Sequence, residues 1–216
     1  MRIRDKIKKP QRPVVAYEIL PPREKDGTLN TYAETISSLL SQTHIDAINI
    51  PEVHDEIGRG ERPVSNQERG EPRKFGMLLQ DVVGIEAIIN RVVVHMSLKN
   101  QMEWIQETYS KYEIDNLIIV GGESSKQKYP GPTVNESLEK ITEDNRLGKN
   151  SILCGGICIP SRKRESKNLI KKSECGAEFF TTQVLCDSSN IIKMIKNYQE
   201  RCDKVSTFPR RILLSF

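Results

Sequence analysis

No apolar run in this chain of 216 residues approaches the roughly 20 residues that a membrane-crossing helix needs, so no membrane span is expected. The basic opening, residues 1–10, is followed by no apolar stretch. It reads as a lead-in to the first strand and not as a secretory signal. Neither sign of charge dominates. Lysine and arginine number 33 against 29 acidic residues, and a net charge of +4 is too weak to point to nucleic acid. It suits an anionic small ligand or simply a solvated surface. The five cysteines, Cys154, Cys158, Cys175, Cys186 and Cys202, are odd in number. They include no C-x2-C pair and no histidine follows them in a zinc pattern, so no metal site is expected. They read as reduced structural thiols, and the expected location is cytoplasmic. A G-x-G-x-x-G fingerprint is missing as well, which argues against a Rossmann dinucleotide site.

What the chain does have is alternation. Hydrophobic residues make up 37% and mean hydropathy is −0.51, a composition suited to a soluble single domain over 1–216. Strand-like runs at 14–19, 46–51, 90–96, 116–120, 151–159, 178–185 and 211–216 are separated by helical patterns. Those fall at 31–42, about 74–83, 101–112, 133–142, 165–175 and 189–201. The stretch 52–73 is long, charged and broken by Gly58, Gly60, Pro63, Gly70 and Pro72, and reads as a lid-like loop. Repeated βα units with near-continuous apolar strands predict a parallel sheet buried on both faces. The fold class is therefore α/β, TIM-barrel-like (β/α)8, with seven strands visible and the eighth missing at the C-terminus. A flavodoxin-like open sheet is the alternative, though it usually has about five strands.

In such a barrel the polar residues at strand C-terminal ends converge on one site. The run Val14-Val15-Ala16-Tyr17-Glu18-Ile19-Leu20-Pro21-Pro22 places a lone carboxylate, Glu18, near the end of an apolar strand that two prolines stop. Asn49, His95, Glu123 and Gln183 fall at corresponding ends of later strands. Each has a plain reading too: a solvated edge Glu, a core His bonded to a carbonyl, a turn-capping Glu, a satisfied buried amide. Gly121-Gly122 lets a ligand approach the backbone closely. Lys126, Lys128, Arg162, Lys163, Arg164 and Lys172, after the fourth and fifth strands, either hold phosphates at the mouth or are solvated.

Several segments resemble the methylenetetrahydrofolate reductase family. Tyr17-Glu18-Ile19-Leu20-Pro21-Pro22-Arg23 resembles its first strand, an aromatic-Glu-aromatic-aromatic-Pro-Pro run. His95-Met96-Ser97 resembles its His-Leu-Thr segment, and Leu117 to Glu123 its strand ending in Arg-Gly-Asp. The run from Cys175 to Gln183 resembles its Ala-Gly-Ala…Ile-Thr-Gln segment. The matches run in order from about residue 14 to 187.

The resemblance implies a flavin-containing barrel. Such an enzyme passes a hydride from NAD(P)H or another reductant through FAD to 5,10-methylenetetrahydrofolate. The product, 5-methyltetrahydrofolate, feeds methionine biosynthesis. On that reading Glu18 is the catalytic general acid. Gln183 and Glu123 bind the folate or pterin substrate. Asn49, His95, Gly122, Glu165 and Lys172 contact the flavin, the last two at its ribose and phosphates. Gly-Gly-Glu at 121–123 stands where the family has Arg-Gly-Asp, and Gly155 to Pro160 replace a Tyr-Pro-Glu…His segment. The alternative is a folate- or pterin-binding homologue without FAD or catalysis, acting as a binding or regulatory subunit. A missing eighth strand would leave an open barrel edge, to be covered by a homo-oligomer or a partner subunit.

Overall fold

The computed structural model describes residues 1–53, 69–122, 128–185 and 187–216. Seven parallel strands follow one another in chain order and curl into an incomplete barrel. They are β1 (Ala16–Glu18), β2 (Ala47–Pro51), β3 (Ala87–Val92), β4 (Asn116–Val120), β5 (Leu153–Cys158), β6 (Phe179–Val184) and β7 (Arg211–Ser215). The α-helices are α1 (Ile3–Lys8), α2 (Leu29–Leu40), α3 (Pro72–Val83), α4 (Leu98–Ser110), α5 (Val134–Arg146), α6 (Glu165–Glu174) and α7 (Ser188–Lys204). No helix among the described residues is long and apolar enough to cross a membrane. Most of the expected 52–73 loop, 54–68, lies outside the described residues.

Alternation along each strand sorts side chains into two layers. Ala47, Ile88, Ile118, Leu153 and Phe179 point inward and pack together. Ile48, Ile89, Leu117, Ile119 and Phe180 point outward and pack under the helices. Helix starts follow local chemistry. Thr28 caps α2 by accepting from the Thr31 amide, and Thr133 with Glu136 forms a capping box on α5. Gly84 ends α3 at φ +72°, a left-handed position that suits glycine.

Residues 1–10 are not a mere lead-in. They carry α1, which closes the bottom of the barrel. Ile3 and Ile7 are fully buried in the inward cluster. The basic residues around them reach the residues that immediately precede strands. Arg2 pairs with Glu86 and Asp115, Lys6 with Asp46 at 3.0 Å, and Lys8 with Glu178 at 2.6 Å. Arg4 donates to the Ser151 carbonyl at 2.9 Å. A short helix that a propensity argument would not support is thus held by tertiary contacts.

The third strand also differs from expectation. It runs from Ala87 to Val92, not over 90–96, because Ala87, Ile88 and Ile89 take ladder positions against β2, and Ile89 against β4 as well. His95 consequently lies three residues beyond the strand. At the other end, among the described residues, β1 pairs only with β2 and β7 only with β6. A seam separates these two edges. Val15, Tyr17, Leu214 and Phe216 are exposed beside it.

Candidate functional site

A cavity of about 1160 Å³ occupies the barrel interior above the α1 floor and reaches the seam. Glu18, Asn49 and Gln183 all line it, together with Asn90, Thr181 and Ser215. Register explains the first pair. Glu18 is the last residue of β1 and sits opposite Asn49 on β2, so both face inward at one level. Asn49 Nδ2 donates to Glu18 Oε2 at 2.8 Å. Asn49 is buried, whereas Glu18 is exposed. Gln183 enters from the end of β6, where the β6–β7 register shifts between Thr181 and Val184. That irregularity is sewn by Ser215, whose amide donates to Thr182 Oγ1 and whose hydroxyl donates to the Thr182 carbonyl, both at 2.9 Å. The segment after β1 is tied down as well. Arg69 donates to the Pro21 carbonyl at 2.8 Å and the Gly70 amide to the Pro22 carbonyl at 2.9 Å.

The other sequence-derived positions are elsewhere. Glu123 and Lys126 lie outside the described residues. His95 is exposed on the turn after β3 and packs edge-on against Tyr129, ring centroids 5.7 Å apart. Gly122 lies under the same Tyr129 ring, which a Cβ there would strike. Glu165 and Lys172 form a buried knot on the outer side of β5. Lys172 Nζ donates to the Ile157 carbonyl at 2.5 Å, and Glu165 accepts from the Ile159 amide and from Asn168, each at 3.1 Å. Burial pushes the Lys172 ammonium below its usual range, against the pull of Glu165. Among the described residues no group of His, Cys, Asp or Glu gathers as a metal site would require.

FAD is the cofactor that the resemblance implies. The residues present fit it poorly at the assigned positions. The Glu165 and Lys172 side chains are already engaged with α6 and β5, and Tyr129 covers Gly122. A second cavity, about 470 Å³, lies between the start of α6 and α7. Arg162, Lys163, Arg164, Lys193, Arg201 and Lys204 line it against Glu165 and Glu200. It is a cationic groove apart from the barrel interior.

Asn90 was not singled out by sequence reasoning. The signal was present: in Ile88-Ile89-Asn90-Arg91-Val92 a polar residue takes an inward position two after Ile88. Treating Asn90 as the first residue of its strand concealed this.

No protein-family model and no curated protein matches the chain. Solved structures do match. An uncharacterized protein from Clostridium thermocellum that binds two copies of 5-methyl-5,6,7,8-tetrahydrofolic acid superposes with a TM-score of 0.74 at 17% identity. The match covers 98% of this chain and 68% of that one. The fold is a TIM barrel short of closure. 2,3-Dimethylmalate lyase, a PEP mutase/isocitrate lyase superfamily member, matches with a TM-score of 0.61 at 11% identity, covering 98% of this chain and 79% of its own. Oxaloacetate acetylhydrolase in complex with 3,3-difluorooxalacetate matches at 0.59 and 10%, covering 100% and 79%. None of these three is a methylenetetrahydrofolate reductase. Identities this low establish the fold and not an activity.

Proposed function

We propose that the barrel cavity binds a reduced folate, with the pterin ring held near Glu18, Asn49 and Gln183. The observation that carries this reading is the convergence of those three side chains, from β1, β2 and β6, on one cavity. A volume of about 1160 Å³ is ample for a ligand of that size. Support comes also from the Clostridium thermocellum protein, a similar barrel that binds 5-methyltetrahydrofolate. Titration calorimetry with 5-methyltetrahydrofolate tests the proposal. Wild-type protein should bind saturably, and Gln183→Leu should bind about tenfold more weakly, the loss of one hydrogen bond. No heat of binding from the folded wild-type protein would overturn it.

The second reading is reduction of a bound methylenetetrahydrofolate by hydride transfer through FAD. Its support is Glu18, an accessible carboxyl at the mouth, placed to give a proton to a ring nitrogen as the bridge opens. FAD would supply the hydride, and it would have to draw on groups other than Glu165 and Lys172. A visible spectrum taken with added FAD decides between the readings. Flavin bands near one per chain favour the reductase, and their absence from folded protein favours a folate binder. The proposal also keeps a second copy of the chain, or a partner subunit, across the seam, where edge backbone groups and exposed apolar side chains lie together.

A further inference from the structure

The groove between α6 and α7 takes no part in the folate reading, yet its walls carry an ordered pattern. One wall is the turn at 160–164 that leads into α6. The other is a single stripe of α7, on which Asn190, Lys193, Asn197, Arg201 and Lys204 recur every three or four residues. From Asn190 to Arg201 that stripe alternates carboxamide and cation. Six cations line the groove against Glu165 and Glu200. Glu165 is already engaged: its side chain is fully buried and lies 3.6 Å from Arg162. Lys163, Arg164, Lys193 and Lys204 have no side-chain partner among the described residues. Like charges that share one groove repel one another, and an anion laid among them relieves that repulsion.

We propose that this groove docks an acidic peptide segment of a partner protein in extended form. Charge complementarity selects the acidic side chains. The carboxamides select a peptide backbone, because an amide side chain offers both a donor and an acceptor, as a peptide unit does. Asn190 Nδ2 donates to Asp187 Oδ2 at 3.1 Å, which leaves its Oδ1 to accept. Asn197 is exposed and has no partner among the described residues. The two lie about 10 Å apart along α7, the length of about three extended residues. Asn190 to Lys204 covers about 21 Å of helix, the length of about six. Donors spread over that distance suit a chain and not a single phosphate group, which needs them to converge on one point. Among the described residues no aromatic side chain lines the groove for a base to stack on, which sets a nucleic acid aside.

Fluorescence anisotropy with a labelled hexaglutamate peptide, at about 0.1 M salt, tests this. The wild-type protein should bind it saturably, and hexaglutamine should not bind. Lys163→Glu combined with Lys193→Glu should weaken binding about tenfold or more. Asn197→Leu, which changes no charge, should weaken it about fivefold, the loss of a hydrogen bond to the peptide backbone. A surface that attracts by charge alone would not respond to that substitution. All three positions are exposed, so the variants should keep the wild-type melting temperature. No saturable binding of hexaglutamate, or binding that Asn197→Leu leaves unchanged, overturns the proposal. Displacement of the peptide by an equimolar amount of inorganic diphosphate would overturn it too and mark a phosphate site instead.

Discussion

Asp46 sits one residue before β2 with its side chain almost fully buried. It accepts from the Val15 amide at 2.9 Å and from both terminal nitrogens of Arg12, and it pairs with Lys6. Burial pushes its pKa up, but the Val15 amide, Lys6 and Arg12 together outweigh that and hold it below the ordinary carboxylate value. A folded-state pKa below the unfolded one gives stability that is present above about pH 4 and lost as pH falls through the folded value. Asp46→Ala should therefore cost about 3 kcal/mol in urea unfolding at pH 7, with the gap to wild type closing well below pH 4. The thiols behave in the opposite sense. Burial pushes Cys158 up to about 12 and Cys175 up to about 11, and raises Cys154 and Cys202. These four should resist a thiol reagent at pH 8 in native protein and react only as it unfolds. Glu18 and Gln183 were legible in the sequence because each lies at the polar end of an apolar run. Glu165 was placed by resemblance alone, and Lys172 by resemblance and as one of several basic residues set near the barrel mouth. Nothing in a linear sequence shows that a lysine on α6 turns back to a carbonyl of β5.

At the scale of elements, α1 and β5 carry the sharpest expectations. Ile7 is fully buried under the barrel, so Ile7→Ala should destabilise by about 3 kcal/mol, measured by chemical denaturation. Removing residues 1–9 would also strip partners from Glu86, Asp115 and Glu178. On β5, a Cβ at Gly155 would come within 2.5 Å of the buried Phe179 ring. Gly155→Ala should cost about 2 kcal/mol, with a lower thermal midpoint as the readout. The βα units were readable because their strands are apolar throughout and their helices carry a periodic stripe. Residues 1–10 were not, because six helical residues have no propensity signal of their own. Their basic side chains make sense only against acidic residues spread from Asp46 to Glu178, which the fold brings to one rim. The start of β3 was misread for a related reason. Ala87 to Ile89 have no punctuation before them apart from Gly84, and a polar Asn90 looks like a boundary when it is an inward residue.

For the whole molecule, the strand count, the open edge and the convergence of Glu18, Asn49 and Gln183 on one cavity were legible, whereas the place of Asn90 beside them was not. Which inward residues meet depends on register and barrel curvature, neither of which a spacing pattern encodes. The seam has its own expectation. If a second copy covers it, sedimentation should give a dimer, and Tyr17→Glu, a charge on that exposed face, should shift it to monomer; a wild-type monomer at tens of micromolar contradicts that cover. The central claim is that the barrel interior, and not the cationic groove between α6 and α7, holds a reduced folate. The measurement to make is a crystal structure with 5-methyltetrahydrofolate bound. The account predicts a pterin ring within hydrogen-bond reach of Glu18, Asn49 and Gln183. Density for the ring in the groove lined by Arg162 and Lys193, with none in the barrel, would contradict it.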